Sequence, residues 1–200
     1  KEYKEFIEQK IILKKRKKTF REDTSYYIED VRKNVIDQLG YDKVYKQGLN
    51  ISTPIDLDLQ KIAIKALRDG LVSYDKRKGW RGALLKGQKL DSWKNNIEDF
   101  KLEKSINWHL AIIKEVDKFF VEIETEDQQI GVIKYKNISW TKKEFDEVLK
   151  IGDVVYVEKI KDDKFALRQL PLVNGGIVVM DPFTGRVMAL SGGFSFKKSE

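Results

Sequence analysis

Three serine–lysine pairs have the spacing Ser-x-x-Lys, in which a lysine amine can act as the base for a serine nucleophile in acyl transfer. With nine serines and 31 lysines in 200 residues, about one or two such pairs are expected by chance. The chemistry needs a buried helix start faced by two further motifs, and the predicted elements place none of the pairs on such a helix. We therefore predict no catalytic residue in this chain. The pairs are Ser73 with Lys76, Ser139 with Lys142, and Ser195 with Lys198.

Other residue types that carry chemistry are sparse. Cysteine is absent and His109 is the only histidine, which excludes disulfide scaffolds, zinc ribbons and thiol nucleophiles. His109 lies in a predicted strand, where a structural histidine is the favoured interpretation. The acidic pairs Glu126-Asp127 and Asp162-Asp163 fall in predicted hairpin turns, which solvation and turn formation explain. We predict no metal site, and no cofactor because nucleotide-binding motifs do not occur.

Composition and charge limit the function classes. Ten Phe, eight Tyr and four Trp supply enough apolar surface for a core and argue against a disordered chain. No apolar run reaches the roughly 20 residues of a membrane span. The net charge of +7 is uneven, since residues 1–24 carry +4 whereas 106–170 carry −2. We interpret the basic run at 14–18 as a solvated helix face or a flexible connector, with a membrane-surface or nucleic-acid patch as the alternative.

Helical periodicity marks the N-terminal part of the chain. Apolar residues at helical spacing predict a helix that frays within the basic connector 1–24. A second helix is predicted over 25–39, with Thr24 and Ser25 as its cap and Gly40 as its end.

The following segment predicts a short strand and a third helix. Residues 48–56 are typical of a strand that ends at a turn, because Pro54 disfavours a helical conformation of the residue before it. Asp56 then caps a helix over 57–69, which is predicted to end at Gly70.

The apolar period changes to two residues in the second half of the chain, which predicts strands. Three strands, a short helix and two further strands are typical of an OB-type closed barrel. In the second strand, Phe119, Val121 and Ile123 are predicted to share one face. Thr141 is predicted to cap the helix, with Glu144 at capping-box spacing. The predicted strands are 108–116, 119–125, 129–135, 154–160 and 164–170, with one short helix within the stretch 140–149.

A further hairpin is predicted after the barrel. An apolar run over 174–180, a turn with Pro and Gly, and a return strand over 186–190 indicate it. A lone hairpin is marginal in water, so we expect the chain to be cut from something larger. The predicted class is α+β or mainly β. The predicted units are a basic helical connector (1–24), a linker with a strand and helices (25–70), an irregular connector (71–105), an OB-like barrel (106–170) and the start of a further domain (171–200).

Two stretches of sequence resemble a known family. Residues 174–193, NGGIVVMDPFTGRVMALSGG, followed by 194–196, resemble the first hairpin of a penicillin-binding transpeptidase domain. Residues 26–32 and 48–56 resemble the segment that links the glycosyltransferase and transpeptidase domains of class A penicillin-binding proteins.

An OB-like insertion between these two parts is characteristic of the 1A type within that class. The turn Gly79-Trp80-Arg81-Gly82 also resembles a turn of the family. Where the family commonly has Thr-Thr-Leu-Asp, this chain keeps Thr53 and Asp56 but has Pro between them, a departure that concerns the local strand end. The resemblance covers about residues 25–196, in the family's order.

The resemblance implies a non-catalytic scaffold segment of a bifunctional peptidoglycan synthase. The catalytic glutamate of the glycosyltransferase is expected before residue 1, and the transpeptidase Ser-x-x-Lys beyond residue 200. Ser195 lies too close to the hairpin to be that serine, so no catalytic residue is transferred to this chain. The implied location is the periplasmic part of a protein held in the inner membrane by an anchor outside this chain. The implied partners are the rest of the parent chain and a cell-wall or regulatory protein on the barrel.

The alternative function is a free OB-type module that binds single-stranded nucleic acid. Such barrels use basic grooves and stacking aromatic rings. The net charge of −2 on residues 106–170 argues against phosphate binding, so we predict no nucleic-acid partner. The candidate rings, which we expect to be core residues, are Trp108, Phe119, Phe120, Tyr135 and Tyr156.

Overall fold

The computed structural model describes residues 22–199, and the helix predicted within the basic connector lies outside them. The helices are α1 (Ser25–Leu39), α2 (Tyr41–Lys46), α3 (Leu57–Lys76), α4 (Phe145–Val148) and α5 (Phe196–Ser199). The strands are β1 (Trp108–Val116), β2 (Phe120–Thr125), β3 (Ile130–Lys134), β4 (Val154–Lys161), β5 (Lys164–Arg168), β6 (Ile177–Met180) and β7 (Val187–Ser191). Short 3₁₀ turns occur at Glu22–Thr24, Trp93–Asn96, Glu98–Phe100, Tyr135–Asn137 and Ser139–Thr141.

Strands β1 to β5 form a closed barrel in the order β1-β2-β3-β5-β4, with β4 pairing back to β1. Neighbouring strands are antiparallel except β3 and β5, which are parallel. The prediction of a five-stranded OB-like barrel is confirmed. Apolar residues at alternate positions fill the interior because successive side chains of a strand point to opposite faces. The core consists of Ala111, Ile113, Val121, Ile123, Ile133, Ile138, Phe145, Val148, Leu149, Val155, Val157, Phe165 and Leu167.

The segment before the barrel packs over the outer face of β1 and β4. The Leu84 N–H donates to the Val154 carbonyl (2.9 Å), and the Val154 N–H donates to the Leu85 carbonyl (2.8 Å). This segment was predicted to be an irregular connector, and it contains two 3₁₀ turns. Trp93 and Ile97 of this segment form a second buried core with residues of β1 and β4. The β1 residues are Leu110 and Ile112, and the β4 residues are Val154 and Tyr156.

Helix α3 supports the hairpin formed by β6 and β7. The Asp56 carboxylate caps the first turn of the helix, as predicted, and the Asp56 N–H donates to the Met188 carbonyl (2.9 Å). One turn later, the fully buried Gln60 amide exchanges two hydrogen bonds of 2.8 Å with the backbone of Leu190. Gln60 Nε2 also donates to the Asp23 carbonyl (2.9 Å). The hairpin is therefore held by the helix rather than standing alone.

The prediction that the third helix ends at Gly70 is wrong, since α3 continues to Lys76. A glycine in a helix interior costs only about 1 kcal/mol relative to alanine. The next residue, Leu71, packs with Ile106 and Phe194 in a buried apolar cluster. This tertiary contact outweighs the low helix propensity of glycine.

Two caps and one strand also differ from the prediction. Within the described residues no strand pairs with 48–56, so this segment is irregular chain rather than a strand. Thr24 makes no side-chain capping hydrogen bond to α1, although the helix spans the predicted residues. Thr141 lies in a 3₁₀ turn, and α4 begins later with Glu144 and Glu147 as its capping box.

Substitution of two glycines tests these local environments. Gly70→Ala should stabilise the chain by about 0.5–1 kcal/mol, because alanine favours a helix interior and its Cβ would meet open space. Urea unfolding followed by circular dichroism measures the effect, and a lower midpoint for Gly70→Ala would contradict the continuous helix.

Gly131→Ala should destabilise the chain by about 1–3 kcal/mol, because its Cβ would lie 2.4 Å from the Phe165 ring and 2.6 Å from the Asp163 carbonyl oxygen. The same unfolding measurement tests this prediction.

Candidate functional site

The barrel segment leaves α3 and returns beside it at a single buried carboxylate. Asp75, in the last turn of α3, is 2% exposed. Its oxygens accept two hydrogen bonds of 2.9 Å from Arg81 Nη1, one of 2.8 Å from Gln169 Nε2 and one of 3.2 Å from the Leu172 N–H. Arg81 lies where the chain enters the barrel segment, and Gln169 and Leu172 lie where it leaves. We call Asp75, Arg81 and Gln169 the neck clamp.

The neck clamp also joins the two connecting segments directly to each other. The Arg81 N–H donates to Gln169 Oε1 (2.8 Å), and Arg81 Nη2 donates to the Leu170 carbonyl (2.6 Å). Gln169 Nε2 donates to the Gly79 carbonyl (3.1 Å). Because a buried carboxylate is stable only when its lone pairs are satisfied, this network accepts few alternative arrangements.

A second polar contact fixes the barrel segment to the C-terminal residues. Glu103 accepts hydrogen bonds from Ser195 Oγ (2.6 Å) and from the Phe196 N–H (2.9 Å). Its carboxylate lies 3.7 Å from Arg68 Nη2 on α3. Burial lowers the pKa of the Arg68 guanidinium, and the charge of Glu103 opposes that shift. We call Glu103, Arg68 and Ser195 the Glu103 clamp.

An apolar contact also joins the barrel segment to α3 and to the residues that follow the hairpin. Leu71 of α3, Ile106 of the barrel segment and Phe194 form a buried cluster. The rings of Trp108 and Phe194 are 5.0 Å apart at 46°. Two polar clamps and an apolar cluster therefore hold the barrel against α3 and the residues that follow the hairpin.

None of the three Ser-x-x-Lys pairs forms a nucleophile–base contact in the described residues. Ser195 Oγ donates to Glu103, while Lys198 Nζ donates to the carbonyl of Asp99. Lys76 Nζ lies 5.7 Å from the Trp140 ring centroid, and burial lowers the pKa of its ammonium. In the third pair, Ser139 lies in a 3₁₀ turn, and Lys142, which follows that turn, has a left-handed backbone conformation (φ 59°).

His109 meets the first acidic turn at the rim of the barrel. Its Nδ1 lies 3.5 Å from Asp127 Oδ2, and the nearest ligand atoms of His109, Glu126 and Asp127 all lie within 4.8 Å of one another. Burial raises the pKa of the Glu126 carboxyl, and backbone N–H groups and His109 act against that shift. Sequence reasoning did not join these residues, although a hairpin made of the predicted strands 108–116 and 119–125 places residue 109 opposite the 126–127 turn.

The aromatic side chains of the barrel are divided between core and surface. Tyr156 is buried and donates its hydroxyl to the Phe100 carbonyl (2.6 Å), and burial raises the pKa of that hydroxyl. Trp108 and Phe120 are half-buried. Tyr135 is 44% exposed, and Phe119 is 81% exposed. The predictions that Phe119 shares a face with Val121 and that these rings are all core residues are wrong, because Phe119 belongs to the β1–β2 turn.

Comparisons with known proteins agree with this architecture. The family model described as the penicillin-binding protein OB-like domain matches residues 80–173. Penicillin-binding protein 1A of Rickettsia bellii (strain RML369-C) is 36% identical over 98% of this chain. The chain corresponds to an OB-like fragment of the penicillin-binding protein 1A type. The resemblance to the 1A type is thus confirmed. The chain spans about a quarter of the length of the curated relatives it matches, 25% for the Rickettsia protein.

Two further proteins named penicillin-binding protein 1A also match most of this chain over a smaller part of their own length. The protein of that name from Pseudomonas aeruginosa is 28% identical over 87% of this chain and 22% of its own length. A crystal structure of Penicillin-Binding Protein 1A from Haemophilus influenzae superposes with a TM-score of 0.76 at 24% identity, covering 99% of this chain and 30% of that one. This superposition shows a shared fold. Among the described residues, no helix has the length and apolar character needed to cross a membrane.

The boundaries of the OB-like match coincide with the neck clamp in this penicillin-binding protein 1A segment. The match begins one residue before Arg81 and ends one residue after Leu172. Both residues bond to Asp75. Sequence reasoning missed this clamp because its members lie up to 94 residues apart and each has an ordinary local context.

Removal of the clamp carboxylate should loosen the barrel segment. Asp75→Ala should destabilise the chain by about 2–4 kcal/mol, because it leaves Arg81, Gln169 and the Leu172 N–H without their buried acceptor. Asp69→Ala is the matched control on the same helix, because the exposed Asp69 pairs only with Lys65 among residues 22–199, and it should change stability by less than about 0.5 kcal/mol. Urea unfolding and hydrogen exchange at the Leu172 amide measure the effects. Equal unfolding midpoints for the two variants would contradict the role of Asp75.

Proposed function

We propose that this chain is a non-catalytic scaffold segment of a bifunctional peptidoglycan synthase. The parent enzyme would polymerise glycan strands and cross-link their stem peptides through a penicillin-sensitive transpeptidase. The observation that carries the proposal is the attachment of the closed barrel by an apolar cluster and two polar clamps, which contain the buried Asp75 and Ser195. Such an attachment suits a part whose position matters more than its own reactivity.

The polar character of the clamps supports a positioning role. Buried ion pairs contribute little net stability compared with apolar packing, but their hydrogen-bond geometry accepts few alternatives. A barrel held only by apolar contacts could slide along α3, whereas four hydrogen bonds to Asp75 fix one orientation. Closure of the barrel also leaves few free strand edges for unwanted pairing.

The catalytic groups of both activities would lie in other parts of the parent chain. Ser195 and Lys198 direct their side chains to different partners, which does not suit a nucleophile and its base. We propose a periplasmic location for this segment, with the membrane anchor elsewhere in the parent. The segment would act without an organic cofactor of its own in peptidoglycan synthesis.

The barrel also offers a surface for a partner, which we propose to be a cell-wall or regulatory protein. Phe119 is 81% exposed at the β1–β2 turn, and Tyr135 is 44% exposed. Lys134 pairs with Phe120 in the strand register, which brings the end of β3 beside this turn. Exposed aromatic residues are enriched in protein interfaces.

The nucleic-acid alternative has less support. Tyr156 is buried and Trp108 packs against Phe194, so these rings are not free to stack on bases. The barrel residues carry a net charge of −2, whereas binding to phosphates depends on basic groups along a groove. We therefore favour a protein partner.

A fluorescent penicillin tests the catalytic part of the proposal. The 200-residue chain should not be labelled, whereas the same chain extended through the following parent sequence should be, because the nucleophile is expected there. In-gel fluorescence after denaturation measures the covalent acyl-enzyme. Ser195→Ala in the extended chain is the matched control and should still be labelled. Labelling of the short chain that Ser195→Ala abolishes would overturn the non-catalytic role, and an unlabelled extended chain would overturn the parent activity.

Photo-crosslinking tests the partner surface. A photoreactive phenylalanine at position 119 of the full-length parent should form a discrete crosslinked product in intact cells. Position 160 is the control, since Ile160 is 55% exposed but lies near the opposite end of β1, where Trp108 pairs with Glu158. Mass spectrometry identifies the product. Equal crosslinking at both positions, or none at 119, would contradict this surface.

A further inference from the structure

We propose that His109, Glu126 and Asp127 bind a divalent transition-metal ion of the zinc class at the rim of the barrel. His109 lies near the start of β1, and the two acids form the turn that follows β2. The Glu126 N–H donates to the Leu110 carbonyl (2.9 Å), which holds that turn against β1. The barrel register itself therefore brings the three side chains together. This departs from the sequence-based expectation of no metal site.

The geometry of the three groups suits a small cation. His109 Nδ1 and Asp127 Oδ2 are 3.5 Å apart, and all three ligand atoms lie within 4.8 Å of one another. Zinc binds imidazole nitrogen and carboxylate oxygen at about 2.0–2.2 Å, which places neighbouring ligand atoms about 3.3 Å apart. His109 Nδ1 and Asp127 Oδ2 are already close to that separation. The remaining approach needs only side-chain rotation in a turn where Asp127 is exposed.

A buried oxygen atom gives an independent reason to expect a ligand. Glu126 Oε2 is buried and has no hydrogen-bond partner within the described residues. Buried carboxylate oxygens are normally paired, because an unpartnered one loses its hydration without compensation. A cation bound between Glu126 and its two neighbours would satisfy this atom.

The surroundings leave room for the ion and its water ligands. A cavity of about 290 Å³ is lined by the three residues together with Lys101 and Tyr156. Lys104 also lines the cavity, and the charges of both lysines oppose a cation. The Lys101 ammonium is paired with Glu98, and Lys104 is exposed to solvent. Three protein ligands with water in the remaining positions form an exchangeable site.

The donor set selects the class of metal. Imidazole favours zinc and other transition metals, whereas magnesium and calcium prefer sites made only of oxygen. The other acidic turn, Asp162-Asp163, has no histidine beside it, because His109 is the only one in the chain. A bound ion at the first turn would cross-link it to β1 and stabilise that rim of the barrel.

Titration with zinc chloride tests the site in the 200-residue chain, prepared without a polyhistidine tag. The imidazole NMR signals are unambiguous because the chain has one histidine. We expect these signals to shift until one ion is bound per chain, the melting temperature to rise with zinc, and magnesium at the same concentration to produce neither change. Calorimetry should show that His109→Gln and Glu126→Gln weaken zinc binding by about tenfold or more.

Asp162→Asn is the matched control, since it removes an acid from the other turn and should leave zinc affinity unchanged. Equal zinc affinity in His109→Gln and the unsubstituted chain would assign the binding to surface carboxylates and overturn the proposal. Histidine signals that do not move with zinc in the unsubstituted chain would overturn it as well, whether or not the variants fold.

Discussion

The buried carboxylate of Asp75 is the constraint on which the arrangement of this segment depends. An inserted unit can be accommodated without disturbing its host only if its two ends lie close together. Here the ends are Arg81 and Leu172, and both bond to Asp75. The helix that supports the hairpin thus also closes the base of the barrel segment. Helix α3 therefore contacts both the hairpin and the base of the barrel segment.

The barrel could be predicted because its information is local. Alternating apolar residues and short acidic turns define antiparallel hairpins whose partners are near in sequence, such as Ile113 with Ile123. The C-terminal end of helix α3 was harder to predict. Gly70 is a good local stop signal, but Leu71 packs against Ile106 and Phe194, which come from distant parts of the chain. Tertiary packing decided the end of α3, and no local pattern contains that information.

The polar contacts between the bodies could not be predicted for the same reason. Glu103 and Ser195 are 92 residues apart, and Asp75 and Gln169 are 94 residues apart. Each looks like an ordinary surface residue in its own neighbourhood. The cluster around His109 is different, because the hairpin register that predicts the barrel also places the histidine opposite the acidic turn. The proximity of His109 to the acidic turn could therefore be predicted from the pairing of the strands, although not from the spacing of residues along the chain.

The fate of Ser195 shows why spacing alone does not define chemistry. The Ser-x-x-Lys pattern places two residues on neighbouring positions of a helical turn, but reaction depends on what their atoms face. The Ser195 hydroxyl donates its one proton to Glu103, an interaction that holds the C-terminal residues to the barrel segment. Lys198 donates to the Asp99 carbonyl and so fixes the same contact from the other side. Both polar groups are used in joining the C-terminal residues to the barrel segment, which supports the proposal that they are not catalytic.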